Sequence, residues 1–147
     1  MSLMEKLTAD MKEAMKQGEK ERLSVIRLVR GAVRQAEIDG KKILSDDEVI
    51  GVITKEVKMR RDSIEEFERG KRADLVKKAE EEIALLMPYL PSQLSIDEVK
   101  KIVEEAVAEV GATTAKDMGK VMGALMLRVK GRADGKLVNE IVRSILK

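Results

Sequence analysis

The chain has 147 residues, of which 44% are hydrophobic and 38% charged, with a formal net charge of +2. That is apolar enough to bury a core, too apolar for a disordered chain, and too evenly charged for whole-chain electrostatics to name a partner. It holds no cysteine and no histidine, which excludes disulfides, thiolate metal sites, Cys or His nucleophiles and the usual general base near neutral pH.

Aromatic residues are limited to Phe67 and Tyr89, so Leu, Ile, Val, Ala and nine Met must build the interior. The N-terminal residues are interrupted by charge and no later apolar run spans a bilayer, so a cytoplasmic protein with no membrane association is the expectation.

Apolar residues return every three or four positions through the first 90 residues, which predicts four helices and no strands. In the second helix Leu23, Ile26, Val29, Val33 and Ala36 share one face, Arg27, Arg30 and Arg34 share another, and Gly40 is expected to end it. Ser45-Asp46-Asp47-Glu48 reads as a capping box opening a third helix, whose stripe of Val49, Ile53, Val57, Ile64 and Phe67 runs to Gly70. A fourth helix carries Leu75, Ala79, Ile83, Leu86 and Leu90 inward, with Pro88 expected to loosen its last turn and Pro91 to stop it.

Both prolines fall in the stretch 88–95, the candidate boundary between an N-terminal domain, 1–91, and a C-terminal domain, 92–147. A second capping box, Ser95-Ile96-Asp97-Glu98, opens a helix with Val99, Ile102, Val103, Ala106 and Val110 inward and Gly111 at its end. Thr114 to Val129 and Leu137 to Leu146 supply two more helices. The expected fold class is therefore all-α, a four-helix N-terminal part followed by a small three-helix C-terminal domain.

Charge is unevenly placed. Lys20, Arg22, Arg27, Arg30 and Arg34 face only Glu21 within their stretch, and Lys116, Lys120, Arg128, Lys130, Arg132 and Lys136 face only Asp117 and Asp134. The second cluster is the candidate for phosphate contacts, made by shape and backbone recognition, because two aromatics cannot form a base-stacking platform. The cations Lys55, Lys58, Arg60, Arg61 and Arg72 lie among acids and read as a solvated face.

Gly131-Arg132-Ala133-Asp134-Gly135-Lys136-Leu137 is one residue short of a phosphate loop and lacks a Ser or Thr after its Lys, so a nucleotide site is not expected. It reads instead as a helix connection, with a left-handed turn at Gly131 and Asp134 capping the next helix. A modified reading keeps a function for it: amides at the start of that last helix, flanked by Arg132 and Lys136, holding a backbone phosphate. Gly119 and Gly123, four apart on one helix, are placed for close packing or for the approach of a partner, packing being the first expectation; Gly131 and Gly135 join them as small positions. The stripe Met118, Met122, Leu125, Met126 is assigned to the core. No serine has a histidine to activate it, and the runs Glu80-Glu81-Glu82 and Glu104-Glu105 sit on exposed faces, so no catalytic residue, metal site, cofactor or small-molecule substrate is assigned.

In their order and spacing, Arg27-Leu28-Val29-Arg30-Gly31-Ala32-Val33, Arg61-Asp62-Ser63-Ile64-Glu65-Glu66-Phe67, Tyr89-Leu90-Pro91-Ser92-Gln93-Leu94-Ser95, Asp117-Met118-Gly119-Lys120-Val121-Met122-Gly123 and Val129-Lys130-Gly131-Arg132-Ala133-Asp134-Gly135 resemble the YqeY-like family over essentially the whole chain. The resemblance implies a C-terminal part similar to the tail of the B subunit of the aspartyl/glutamyl-tRNA amidotransferase, which helps hold the tRNA body. It implies tRNA as partner, with amidotransferase or aminoacyl-tRNA synthetase components as further partners. It also brings a rival expectation, carbon-nitrogen ligase activity with glutamine as amido donor; a third is a protein-protein adaptor using the glycine-bearing helix. Where family members often carry Pro before the basic end of this helix, Leu127 stands here, which predicts a straighter helix.

Overall fold

In the computed structural model, which describes residues 1–146, the described residues form seven α-helices and no strand. They fall into two compact units, Met1–Leu90 and the residues from Pro91 onward.

The first unit contains α1 (Leu3–Gln17), α2 (Lys20–Gly40), α3 (Asp46–Arg69) and α4 (Ala73–Leu86), followed by a 3-10 turn over Met87–Tyr89. Helix α3 starts where its capping box dictates: Ser45 Oγ accepts from the Glu48 amide at 3.2 Å and Glu48 Oε1 takes the Ser45 amide at 3.2 Å. An equivalent box, Ser2 with Glu5, opens α1 and is absent from the sequence reading. The 24 residues of α3 span roughly 36 Å at 1.5 Å per residue. Helix α3 packs along α4, and α1 along α2.

The core of this unit is Leu7, Val25, Ile26, Val29, Val33, Val49, Ile53, Val57, Leu86 and Tyr89. Burying each aliphatic side chain contributes about 1.5–3 kcal/mol before conformational entropy is counted. Leu23, Ala36, Ile64 and Phe67 are only partly buried. Leu90 lies beyond α4, because the helix gives way at Leu86 to the 3-10 turn that holds Pro88. At the end of α2 it is Lys41, at φ +53°, and not Gly40, that takes the left-handed conformation.

The second unit contains α5 (Ile96–Val110), α6 (Met118–Val129) and α7 (Gly135–Ile145), with a 3-10 turn over Ala115–Asp117 leading into α6. Ser95 and Glu98 close the expected capping box, and Gly111 at φ +65° ends α5 with a left-handed cap. Helix α7 starts at Gly135, two residues earlier than the apolar pattern alone suggests, because its cap is Asp134. The core joins Val99, Val103 and Ala106 of α5, Val121, Leu125 and Val129 of α6, and Val138, Ile141, Val142 and Leu146 at the end of the chain. Each helix contributes one stripe at spacings of three and four, so the faces turned to solvent carry the charges.

Candidate nucleic-acid interface

The basic segment of the second unit is built on α6 and on the loop that joins it to α7. Helix α6 turns Val121, Leu125 and Val129 into the core, with Met118 and Met122 packed at its margin. At 100° per residue the opposite face must hold Gly119, Gly123, Met126 and Leu127, with Lys120 at its edge. All five are exposed, Leu127 at 93% and Met126 at 53%. Met126 therefore belongs to the surface and not to the core stripe. Helix α6 runs unbroken from Met118 to Val129 through Leu127.

This glycine-bearing face is open. A Cβ built at Gly119 or at Gly123 meets nothing within 4 Å outside its own helix, so neither glycine serves close packing inside this chain. The expectation of packing is corrected on that ground. Gly135 is also open. Gly131 differs: it is buried and sits at φ +74°, a backbone conformation costly for any residue with a Cβ.

The loop after α6 is held by a segment 38 residues earlier. Gln93 Nε2 donates to the carbonyls of Gly131 at 2.8 Å and Pro91 at 2.9 Å, and the Leu94 amide donates to the Arg132 carbonyl at 2.7 Å. Arg132 returns an Nε–H to the Ser92 carbonyl at 3.3 Å. The motif Pro91-Ser92-Gln93-Leu94 is thus a clamp on the basic loop as well as a boundary. Sequence reasoning missed Gln93, and its only local signal was a polar amide between two prolines and a cap.

The six cations differ in availability. Arg128 is committed to Glu105, with Nη2 2.7 Å from Oε2, and it holds that carboxyl below the usual carboxylate range. Arg132 is partly spent on Ser92. Lys116 on the 3-10 turn, Lys120 in the first turn of α6, and Lys130 at its C-cap are exposed and make no ion pair. Lys136 lies exposed in the first turn of α7.

Both acids of the stretch are used by the backbone. Asp117 accepts the amides of Thr113 at 3.0 Å and Thr114 at 3.3 Å, and these bonds draw its pKa down. Asp134 Oδ1 accepts the Lys136 amide at 3.1 Å, so one of the α7 amides that could have faced a phosphate already has a partner.

The first unit offers open, shallow grooves. One, of about 590 Å³, lies where Lys20, Ser24 and Leu28 of α2 meet Arg60 and Glu82. Arg60 is nearly buried and bridges Glu56 and Glu82, each at 3.0 Å, and Arg72 pairs with Asp74 at 3.0 Å, so these two of the five cations around α3 and α4 are balanced, Arg60 by being covered and not solvated. Among the described residues no polar or charged residue is fully buried, no three acids or other ligating residues converge for a metal ion, and no helix is long and apolar enough to cross a membrane.

What the fold and site define is an all-helical chain of two units whose distinctive surface is an exposed, glycine-bearing helix ringed by lysines. The chain belongs to the YqeY-like family, whose family model, described as Yqey-like protein, matches residues 4–146. A protein of Pyrenophora tritici-repentis named "Altered inheritance of mitochondria protein 41, mitochondrial" is 33% identical over 150 residues, which cover 98% of this chain and 81% of that protein. Proteins of the same name from Saccharomyces cerevisiae (strain YJM789) and Kluyveromyces lactis are 31% and 39% identical; the matches cover 71% and 56% of this chain and 60% and 45% of those proteins. Those names place the relatives in mitochondria, which narrows the cytoplasmic expectation to the absence of a membrane-crossing helix.

Proposed function

We propose that this protein is a non-catalytic RNA-associated module that holds the tRNA body through the α6 surface and the loop after it. The observation that carries the reading is the pairing of an open glycine face with Lys116, Lys120 and Lys130, three exposed cations without ion pairs, while the nearby acids Asp117 and Asp134 cap backbone amides and only Lys120 is near enough to act on Asp117. Cations free of ion pairs release counterions from a phosphate backbone, and two glycines one turn apart let that backbone come close to the first turns of the helix. The resemblance to the amidotransferase B subunit tail supplies tRNA as the RNA, and amidotransferase or synthetase components as the proteins it would be held beside.

The test is a titration of the whole chain into labelled bulk tRNA at low and near-physiological salt, beside a variant with Lys116, Lys120 and Lys130 changed to Ala. Arg128 and Arg132 are left in place because their side chains hold Glu105 and Ser92. Binding that weakens with salt, and a salt slope about three smaller in the variant, supports the reading. Unchanged binding in the variant removes this surface from the RNA. A protein complex insensitive to salt and nuclease would assign the exposed Met126 and Leu127 to an adaptor role instead, and amide formation on charged tRNA by the purified chain would replace both readings with the ligase.

A further inference from the structure

The N-terminal unit carries a second concentration of positive charge that the proposed function does not use. On the solvent side of α2, Arg27 and Arg34 are exposed, Arg30 is half-buried between them, and Lys41 continues the line just past the helix end. At 100° and 1.5 Å per residue the three arginines fall within about 60° of one another around the axis, and with Lys41 past the helix end the line extends over roughly 21 Å. None of them makes an ion pair. Arg22, by contrast, is paired with Asp10 and Glu19, and Lys20 fronts a groove that it shares with Glu21 and Glu81, so neither belongs to the stripe.

The way these arginines are held is informative. Arg30 Nη1 lies 3.1 Å from Met11 Sδ and Arg27 Nη2 lies 3.8 Å from Met15 Sδ, both across the α1–α2 contact. A thioether is a weak, neutral acceptor, so it positions a guanidinium without cancelling its charge. Arg30 Nε is buried with no partner at all. The acids near the stripe form no ion pair with it: Glu37 accepts the Leu44 amide and Asp39 accepts from Gln35, each keeping its charge. Gly31 flanks the stripe, one turn from Arg27 and about 40° round the axis from it, and a Cβ there would meet nothing within 4 Å, which leaves the helix low beside the stripe.

We propose that this α2 stripe is a second phosphate-backbone site, taking the phosphodiester backbone of RNA along Arg27, Arg30, Arg34 and Lys41. Planar guanidinium forks suit phosphate oxygens, and contacts of this kind position an RNA without reading its bases. An anionic membrane is the weaker fit, because most of the apolar side of α2 is committed to the core through Val25, Ile26, Val29 and Val33, which leaves only the exposed Leu28 and Ile38 on the helix to insert. A protein hot spot combines arginine with aromatic anchors, and α2 carries the arginines but no aromatic residue. The choice of RNA rests on the proposed function; the stripe itself is independent of the α6 surface.

The experiment uses the whole chain and labelled bulk tRNA, with Arg27→Gln, Arg34→Gln and Lys41→Gln combined, made both in the native background and in the Lys116, Lys120, Lys130 variant. A control replaces Lys55, Lys58 and Lys77 with Gln, removing the same charge from other exposed lysines. The stripe variant is expected to keep its helical circular dichroism and to lose about twenty- to forty-fold less affinity than its parent between 50 and 200 mM salt, as three fewer phosphate contacts require, while the control changes little. That loss in both backgrounds supports the stripe, even if the α6 variant turns out silent and the proposed function falls. A folded stripe variant that matches the control overturns the proposal, as does stripe-dependent binding to phosphatidylserine vesicles without stripe-dependent binding to RNA.

Discussion

The Tyr89 hydroxyl donates to Asp10 Oδ2 at 2.5 Å, tying the last turn of the first unit to its first helix across 79 positions of chain. Lys6 places its ammonium 5.3 Å from the centre of the same ring, and Arg22 Nη2 stands 3.7 Å from Asp10 Oδ1. The single tyrosine of the chain is therefore a fastener between α1, α2 and the 3-10 turn, with an aromatic face in the core and its polar tip satisfied.

Tyr89→Phe keeps the ring and removes the bond, so urea unfolding should show a loss of about 1–2 kcal/mol. Burial, and then the Asp10 carboxylate, push the Tyr89 pKa well above its ordinary value of 10.0. The folded state thus holds the proton more tightly than the unfolded one. The hydroxyl's contribution is complete below pH 10 and is lost as pH rises through the folded-state value. The stability gap between the native chain and Tyr89→Phe should accordingly shrink above about pH 10; a gap that stays constant would mean that the hydroxyl does not titrate with folding.

Acid should act on the second unit in the opposite sense. The Ser95 amide draws the Glu98 carboxyl down, the Thr113 and Thr114 amides do the same for Asp117, and Arg128 does so for Glu105. Each carboxylate contributes stability that is full above the ordinary carboxylate range and is lost as pH falls through its depressed value. Unfolding of the chain at pH 7 and at pH 3 should show a smaller acid-dependent loss for Glu98→Gln and Asp117→Asn than for the native sequence. If the three proteins lose stability in parallel, the caps are not the acid-sensitive groups.

How far these features could be read in advance depends on how local they are. The capping boxes at Ser45 and Ser95 announce themselves because cap and partner lie three residues apart. The stripes of Val49, Ile53, Val57 and of Val99, Val103 and Ala106 follow from helical period alone. Gln93 and Gly131 lie 38 residues apart, and Tyr89 and Asp10 lie 79 apart, so no local pattern links either pair. Gly119 and Gly123 were misassigned to packing for a related reason: spacing tells which residues share a face but not whether a neighbour covers it.

Lys41 offers a test of backbone strain. It holds φ +53° at the end of α2, where glycine is the usual occupant, although Gly40 is one residue away. Lys41→Gly should raise stability by about 1 kcal/mol by removing the left-handed penalty on a residue with a Cβ. The gain should appear as a higher urea midpoint at unchanged slope, and a lower midpoint would mean that the Lys41 side chain stabilises the turn by more than its backbone costs.

Glycine-to-alanine changes in the second unit should separate two roles that composition cannot distinguish. At Gly131, buried at φ +74° with its carbonyl accepting from Gln93, alanine is forced into a left-handed conformation and should cost 1 kcal/mol or more, by order of magnitude. At Gly119 and Gly123 the helix is regular and the space is open, so alanine should add about 1 kcal/mol at each through helix propensity alone. Under the proposed function, that forgone gain at two positions on one exposed face leaves room for the RNA backbone. The double variant Gly119→Ala, Gly123→Ala is therefore expected to melt higher and to bind tRNA more weakly, since two methyl groups would stand where a phosphate backbone approaches. Higher stability with undiminished binding would detach these glycines from the RNA surface and leave the lysines to carry it. Lower stability would return them to packing, against the open space around them.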